Sequence, residues 1–176
     1  EASLRNWLGM HASGMCVFNE TCGLGVALEH NGDLYACDHF VEPDYLLGNI
    51  QQDHLIKLVA SPQQQQFGLE KRSQLPQYCL NCDVRFACHG ECPKNRFLIT
   101  PEGEPGLNYL CEGLKQFFHH VDYPMKIMAG LIRRGYLAAQ VMEILAQEQA
   151  KWEALFAQTG RNDLCSCGSG RKFKGC

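Results

Sequence analysis

Residues 79–92 read Cys-Leu-Asn-Cys-Asp-Val-Arg-Phe-Ala-Cys-His-Gly-Glu-Cys, a C-x2-C-x5-C-x3-C pattern. A segment this short buries too little apolar surface to hold itself together, so its order must come from a metal or cluster that the thiols share. Cys16, Cys22 and Cys37 precede it with spacers of five and fourteen residues, and Cys111 follows nineteen residues after Cys92. Cys165, Cys167 and Cys176 close the chain, which brings the total to 11. An odd count argues against a closed disulfide framework, and the Cys79-x2-Cys82 and Cys165-x-Cys167 spacings suit chelation better than bridging. Free buried thiols account for one or two cysteines, not for this clustering.

The first two groups together supply eight thiols, enough for two complete four-thiolate sites. A zinc ribbon presents two similar C-x2-C knuckles. Only Cys79/Cys82 has that form here, and the irregular spacers favour an iron–sulfur cube, which is wider than a single ion. Spacing alone leaves zinc and iron–sulfur both open.

The rest of the composition is ordinary. The chain has 176 residues with 45% hydrophobic and 10% aromatic content, which fits one packed domain or one domain with a small appendage. A net charge of −3 gives no general attraction to nucleic acid or to an anionic membrane surface. The most apolar run, Met125–Ile132, already contains Lys126, so a helical membrane span is not expected. The chain opens at Glu1 and is expected to be a piece of something longer.

Local signals place the cysteines on elements. Val26–Glu29 and Leu34–Cys37 flank Asn31-Gly32, a hairpin signal whose second strand would deliver Cys37 and Asp38. Asp53 is expected to cap a short helix over residues 54–60. Ser61 with Pro62 is expected to start a second helix that takes in the four glutamines at 63–66. Leu114, Phe117, Phe118 and Val121 recur at helical spacing. Tyr123-Pro124 should end that helix, with another over 124–134 and a third over 137–158. Val141, Ile144, Leu145, Trp152, Leu155 and Phe156 on the third read as core. Asp38, taken alone, reads as a carboxylate bonding backbone N–H groups beside a metal site. None of the seven histidines is demanded as a ligand.

Eight cysteines in this order resemble the SPASM domain, the twin-cluster extension of certain radical S-adenosylmethionine enzymes, and within that group the anaerobic sulfatase-maturating enzymes. The resemblance rests on Tyr35-Ala36-Cys37-Asp38-His39-Phe40-Val41, on Leu47-Gly48-Asn49-Ile50, on the knot with its Cys92-Pro93 end, and on residues 117–121 and 125–128. It implies two [4Fe–4S] clusters, the first on Cys16, Cys22, Cys37 and Cys92 and the second on Cys79, Cys82, Cys88 and Cys111. It further implies that Asp38 is a general base toward a sulfatase cysteine or serine that becomes formylglycine. S-adenosylmethionine and a third [4Fe–4S] cluster would sit on a C-x3-C-x2-C motif that this sequence lacks and that is expected before Glu1. Expected partners are a sulfatase or other peptide substrate and an electron carrier such as ferredoxin or flavodoxin, in the cytoplasm, with no membrane and no specific nucleic acid. Two alternatives stand beside this reading: a SPASM domain of another peptide-modifying enzyme, and a non-catalytic iron–sulfur or zinc-stapled electron-transfer or interaction module.

Residues 160–176 resemble the SEC-C motif, which implies zinc on Cys165, Cys167 and Cys176. A fourth ligand, Cys or His, is expected directly after Cys176. The expected fold class is α+β, with a cysteine-rich hairpin and loop domain over residues 1–112, a helical extension over 113–159 and the zinc tail over 160–176.

Overall fold

A computed structural model describes residues 2–10 and 14–176; Glu1 and residues 11–13, with His11, lie outside the described residues. The chain divides into two compact units, residues 1–123 and 124–176. The architecture is α+β, as the sequence implies. Among the described residues no helix is long and apolar enough to cross a membrane.

The first unit begins with helix α1 (Ala2–Trp7) and a three-stranded antiparallel sheet, β1 (Ala27–Leu28), β2 (Asp33–Tyr35) and β3 (Leu46–Asn49), in that order. The expected hairpin is present, with Leu28 opposite Leu34 and Ala27 opposite Tyr35. Asn49 on β3 fastens its turn. Its Nδ2 donates to the Asn31 carbonyl (3.1 Å) and to Asp33 Oδ1 (2.9 Å), and its Oδ1 accepts from the Gln51 N–H. The side chain thus satisfies a turn that would otherwise need water.

Helix α2 (Leu55–Val59) is capped by His54, whose Nδ1 accepts from the Ile56 N–H at 3.2 Å, and not by Asp53. Asp53 instead reaches forward to Lys57 Nζ at 2.6 Å. Helix α3 (Pro62–Ser73) starts as expected, with Ser61 accepting from the Gln64 N–H and Pro62 in the first turn. Its buried residues are Gln64, Phe67, Gly68 and Lys71, the i, i+3, i+4, i+7 stripe of an inward face, though half of it is polar. Short helices α4 (Gln77–Leu80) and α5 (Arg85–Cys88) follow, then the two-stranded sheet β4 (Leu98–Ile99) and β5 (Pro105–Leu107).

Two aromatic clusters fill this unit. Phe40, Tyr45 and Phe67 pack with ring centroids 4.6–5.7 Å apart, against Ala36, Cys22 and Cys37. Trp7 packs on Phe86 at 5.0 Å and Phe118 at 6.1 Å, and Phe18 packs on Phe118 at 5.7 Å. Phe118 is fully buried, whereas its neighbour Phe117 is exposed.

Helix α6 (Cys111–Arg133) corrects the expected break, because Pro124 lies inside it. Proline removes one N–H and crowds the carbonyl four residues earlier. That carbonyl belongs to His120, on an exposed stretch of the helix. Buried Phe118 on one side and buried Ala129 and Leu131 on the other keep both halves helical. The boundary between the two units lies at residues 123/124, inside this helix.

In the second unit a 3-10 turn over Ala138–Gln140 leads into α7 (Val141–Ala157). Val141 is buried, but Trp152 and Leu155 are exposed, so that face is not the core the pattern suggested. Phe156 instead stacks between Trp152 and Phe173, at 5.6 Å from each. A helix packed by so small a unit has too little partner surface to cover a full apolar stripe.

Candidate metal centres

Cys79, Cys82, Cys88 and Cys111 line a single small cavity of about 20 Å³, open in part to solvent. Cys79 and Cys82 come from α4 and the turn after it, Cys88 ends α5, and Cys111 opens α6. Burial pushes the Cys79 and Cys88 thiols up to about 11 and raises Cys111, and nearby thiols of the same group add to the effect. The Gly90 N–H opposes it at Cys88 by donating to the sulfur.

Cys16, Cys22, Cys37 and Cys92 form the other group. Burial raises Cys22, Cys37 (to about 11) and Cys92, and the thiol neighbours that act on them are again of their own group. The positions are set by packing. Gly68 lets α3 press on the Cys22 segment, since a Cβ there would stand 2.5 Å from the Cys22 carbonyl, and the Cys22 N–H donates to the Gly68 carbonyl at 3.2 Å. Gln64 Nε2 donates to the carbonyls of Gly23 (2.7 Å) and Ala36 (3.0 Å), the residues adjoining Cys22 and Cys37.

The segment from Cys88 to Cys92 passes the chain from one group to the other. His89, Gly90 and Glu91 all take positive φ, at 48°, 72° and 53°. Two non-glycine residues in that region are costly and must be held from outside. Arg96 holds them: its guanidinium donates to the carbonyls of His89 (3.0 Å), Gly90 (2.9 Å), Glu91 (3.1 Å) and Lys71 (2.7 Å). The buried Glu91 carboxylate accepts from Asn95 (2.8 Å) and Asn108 (2.7 Å).

Asp38 is exposed, next to Cys37 and at 3.2 Å from its sulfur. The Cys37 thiol donates to this carboxylate and holds it below the usual carboxylate range. When Cys37 gives up its proton to a metal, that bond is lost and the carboxylate is left free. His39 Nδ1 lies 3.3 Å from Cys92 Sγ. Cys37, Asp38 and His39 lie close together, but three consecutive residues are neighbours by chain connection alone.

In the tail, the sulfurs of Cys165, Cys167 and Cys176 lie within 4.8 Å of one another, with Cys167 and Cys176 at 3.0 Å. Hydrogen bonds from Cys176, Ser169 and Cys165 lower the Cys167 thiol to about 6. At Cys165 the Cys167 N–H favours the thiolate, but the sulfurs of Cys176 and Cys167 outweigh it and push the thiol up to about 11. The Cys167 thiol ionises readily beside the two other sulfurs, an arrangement a cation would complete.

These separations distinguish the sites. Sulfurs around one zinc ion lie about 3.8 Å apart, given Zn–S bonds of ~2.3 Å. The tail trio fits that spacing. Among the described residues, no three of the other eight sulfurs come within 4.8 Å of one another, so they are not drawn together as the tail trio is. Four thiols per group are the donor set of a [4Fe–4S] cube.

Residues 16–83 match the SPASM iron–sulfur cluster-binding domain, and residues 161–176 match the SEC-C motif. Over 153 residues it is 44% identical to a serine-type anaerobic sulfatase-maturating enzyme of Bacteroides thetaiotaomicron, covering 87% of this chain and 37% of that enzyme. A cysteine-type anaerobic sulfatase-maturating enzyme of Clostridium perfringens is 29% identical over 108 residues, 61% of this chain and 29% of that enzyme. The solved structure of native anSMEcpe with bound AdoMet and Cp18Cys peptide superposes with a TM-score of 0.63 at 27% identity, covering 74% of this chain and 36% of that one. The chain thus spans 29–37% of the length of these relatives.

Gln64, Lys71, Glu91, Arg96 and Asn108 were not visible as site residues in the sequence. Each is a polar side chain whose role depends on a distant backbone carbonyl or carboxylate, and local spacing carries no trace of such a partner.

Proposed function

We propose that this chain is the auxiliary-cluster part of a radical S-adenosylmethionine oxidoreductase that oxidises a serine or cysteine of a sulfatase to formylglycine. What supports this reading is the gathering of eight thiols into two groups of four, one around a cavity and the other acting on one another, with the exposed Asp38 carboxylate beside one of them. Cys16, Cys22, Cys37 and Cys92 would hold one [4Fe–4S] cluster and Cys79, Cys82, Cys88 and Cys111 the other, and such clusters supply one-electron transfer when bound. Four protein sulfurs on each leave the substrate no place at iron. The three tail cysteines would hold zinc.

Asp38 acts as the general base. Its carboxylate is ionised near neutral pH, open to solvent, and within reach of a peptide lying over Cys37. Oxidation of the substrate CH2–OH or CH2–SH removes two electrons and two protons. A hydrogen atom leaves Cβ for the radical that S-adenosylmethionine supplies, a proton passes to Asp38, and one electron goes to a carrier such as a ferredoxin or flavodoxin. Serine gives the aldehyde directly, and cysteine gives a thioaldehyde that water converts to the aldehyde with release of hydrogen sulfide. The radical-forming C-x3-C-x2-C motif is not in this sequence, and the relatives extend well beyond the matched segment. Their serine-type member shares 44% identity against 29% for the cysteine-type, which favours a serine target.

The test is Asp38→Asn in the full-length protein that contains this chain, with a serine peptide as substrate. The variant should keep its iron and sulfide and lose peptide oxidation. Undiminished turnover would remove Asp38 from the role of base.

A further inference from the structure

The two cysteine groups share a buried cationic element that the reaction above does not use. Lys71 is 1% exposed, and its Nζ donates to the carbonyls of Cys16 (2.6 Å) and Val17 (3.0 Å). Its own carbonyl accepts from Arg96, so the two cations are joined end to end. The Arg96 guanidinium sits on the three carbonyls between Cys88 of one group and Cys92 of the other. It lies within electrostatic reach of Cys22, Cys79, Cys88 and Cys92, whereas the thiols that act most on Lys71, those of Cys16, Cys22 and Cys92, are all of one group. Carboxylates oppose them, Glu91 at Cys92, Asp38 at Cys37, Glu104 at Cys79 and Glu112 at Cys111. Burying a lysine and an arginine on backbone carbonyls, with no ion-paired acid among the described residues, is unfavourable unless negative charge is placed nearby. Cluster-bound thiolates would be that charge.

We propose that Arg96 and Lys71 are electrostatic positioning residues that raise the reduction potentials of the two clusters, Arg96 acting on both and Lys71 only on the cluster of Cys16, Cys22, Cys37 and Cys92. The inference rests on the assignment of [4Fe–4S] clusters to the two groups. Reduction adds negative charge to a cluster, and a fixed buried cation favours the reduced form. Because Arg96 lies between the groups, it also makes the two potentials respond together.

The test is a spectroscopically monitored redox titration of the reconstituted protein, with iron and sulfide counted on the same samples. Lys71→Met keeps the length and removes the charge; one of the two potentials should fall, with a reduction equilibrium weakened on the order of tenfold (~59 mV for one electron), and the other should stay. Arg96→Met should lower both. Arg96→Lys and Lys71→Arg, which keep the charge, should restore the potentials even where they unfold more easily than the parent, an outcome that a purely structural role does not give. If Arg96→Met fails to load, the Lys71 pair decides alone. Loaded Lys71→Met with both potentials unmoved overturns this inference and leaves the cluster assignment standing. A parent protein that takes up no iron overturns both.

Discussion

Gly90→Ala puts the junction between the two cysteine groups under direct strain. The residue sits at φ 72°, between two more left-handed residues, and a Cβ there would meet Leu75 Cδ2 and stand 2.7 Å from Arg96 Nη2. An alanine in that region costs about 1–2 kcal/mol. The leucine tip can turn aside, but the guanidinium is fixed by four carbonyls and yields only by giving some of them up, which adds about 1–2 kcal/mol. The expected total is about 2–4 kcal/mol. Gly103→Ala is the control, because Gly103 has φ 89° with nothing within 4 Å of the added carbon and should cost only about 1–2 kcal/mol. Anaerobic urea unfolding of the loaded proteins, followed by circular dichroism, compares the two. Iron content should also fall in Gly90→Ala and hold in Gly103→Ala. Equal losses of stability in the two variants would refute the Arg96 clamp on this loop.

Three further outcomes follow from the packing and the thiols. Phe118→Ala, at a fully buried ring touching Trp7 and Phe18, should destabilise the first unit by about 3–5 kcal/mol in the same assay. Cys37, Cys79 and Cys88 are raised from 9.0 to about 11 by burial, so the unfolded chain ionises before the folded one. The metal-free protein should therefore keep its stability up to about pH 9 and lose it progressively toward pH 11, read as a falling Tm. The loaded protein, whose thiols are already ionised, should show no such decline. A zinc chelator should loosen the tail around Cys165, Cys167 and Cys176, seen as faster amide exchange over residues 161–176, and leave exchange in the first unit unchanged.

What the sequence made legible was the chemistry with local signatures. The Asn31-Gly32 hairpin, the Ser61-Pro62 helix start and the short cysteine spacings each depend on neighbours within a few residues, and each is found where expected. The inward face of α3 was not legible, because Gln64, Gly68 and Lys71 occupy positions that an apolar stripe would fill. Their burial depends on carbonyls contributed by Cys16, Val17, Gly23 and Ala36, which are remote in sequence. The left-handed run at His89–Glu91 was hidden for the same reason, since only Gly90 of the three advertises it. At Pro124 a local rule was read correctly but was outweighed by burial on both sides of the helix. The aromatic stripe of α7 failed in the opposite direction, as a helical period that finds little surface to pack on.

The central claim is that the first eight cysteines hold two iron–sulfur cubes and the tail one zinc. Iron, acid-labile sulfide and zinc counted on the anaerobically reconstituted protein test it most directly. About eight irons, about eight sulfides and about one zinc per chain are expected. About two zinc ions on the first eight cysteines, with no iron, would contradict it and leave a zinc-stapled module in place of a redox domain.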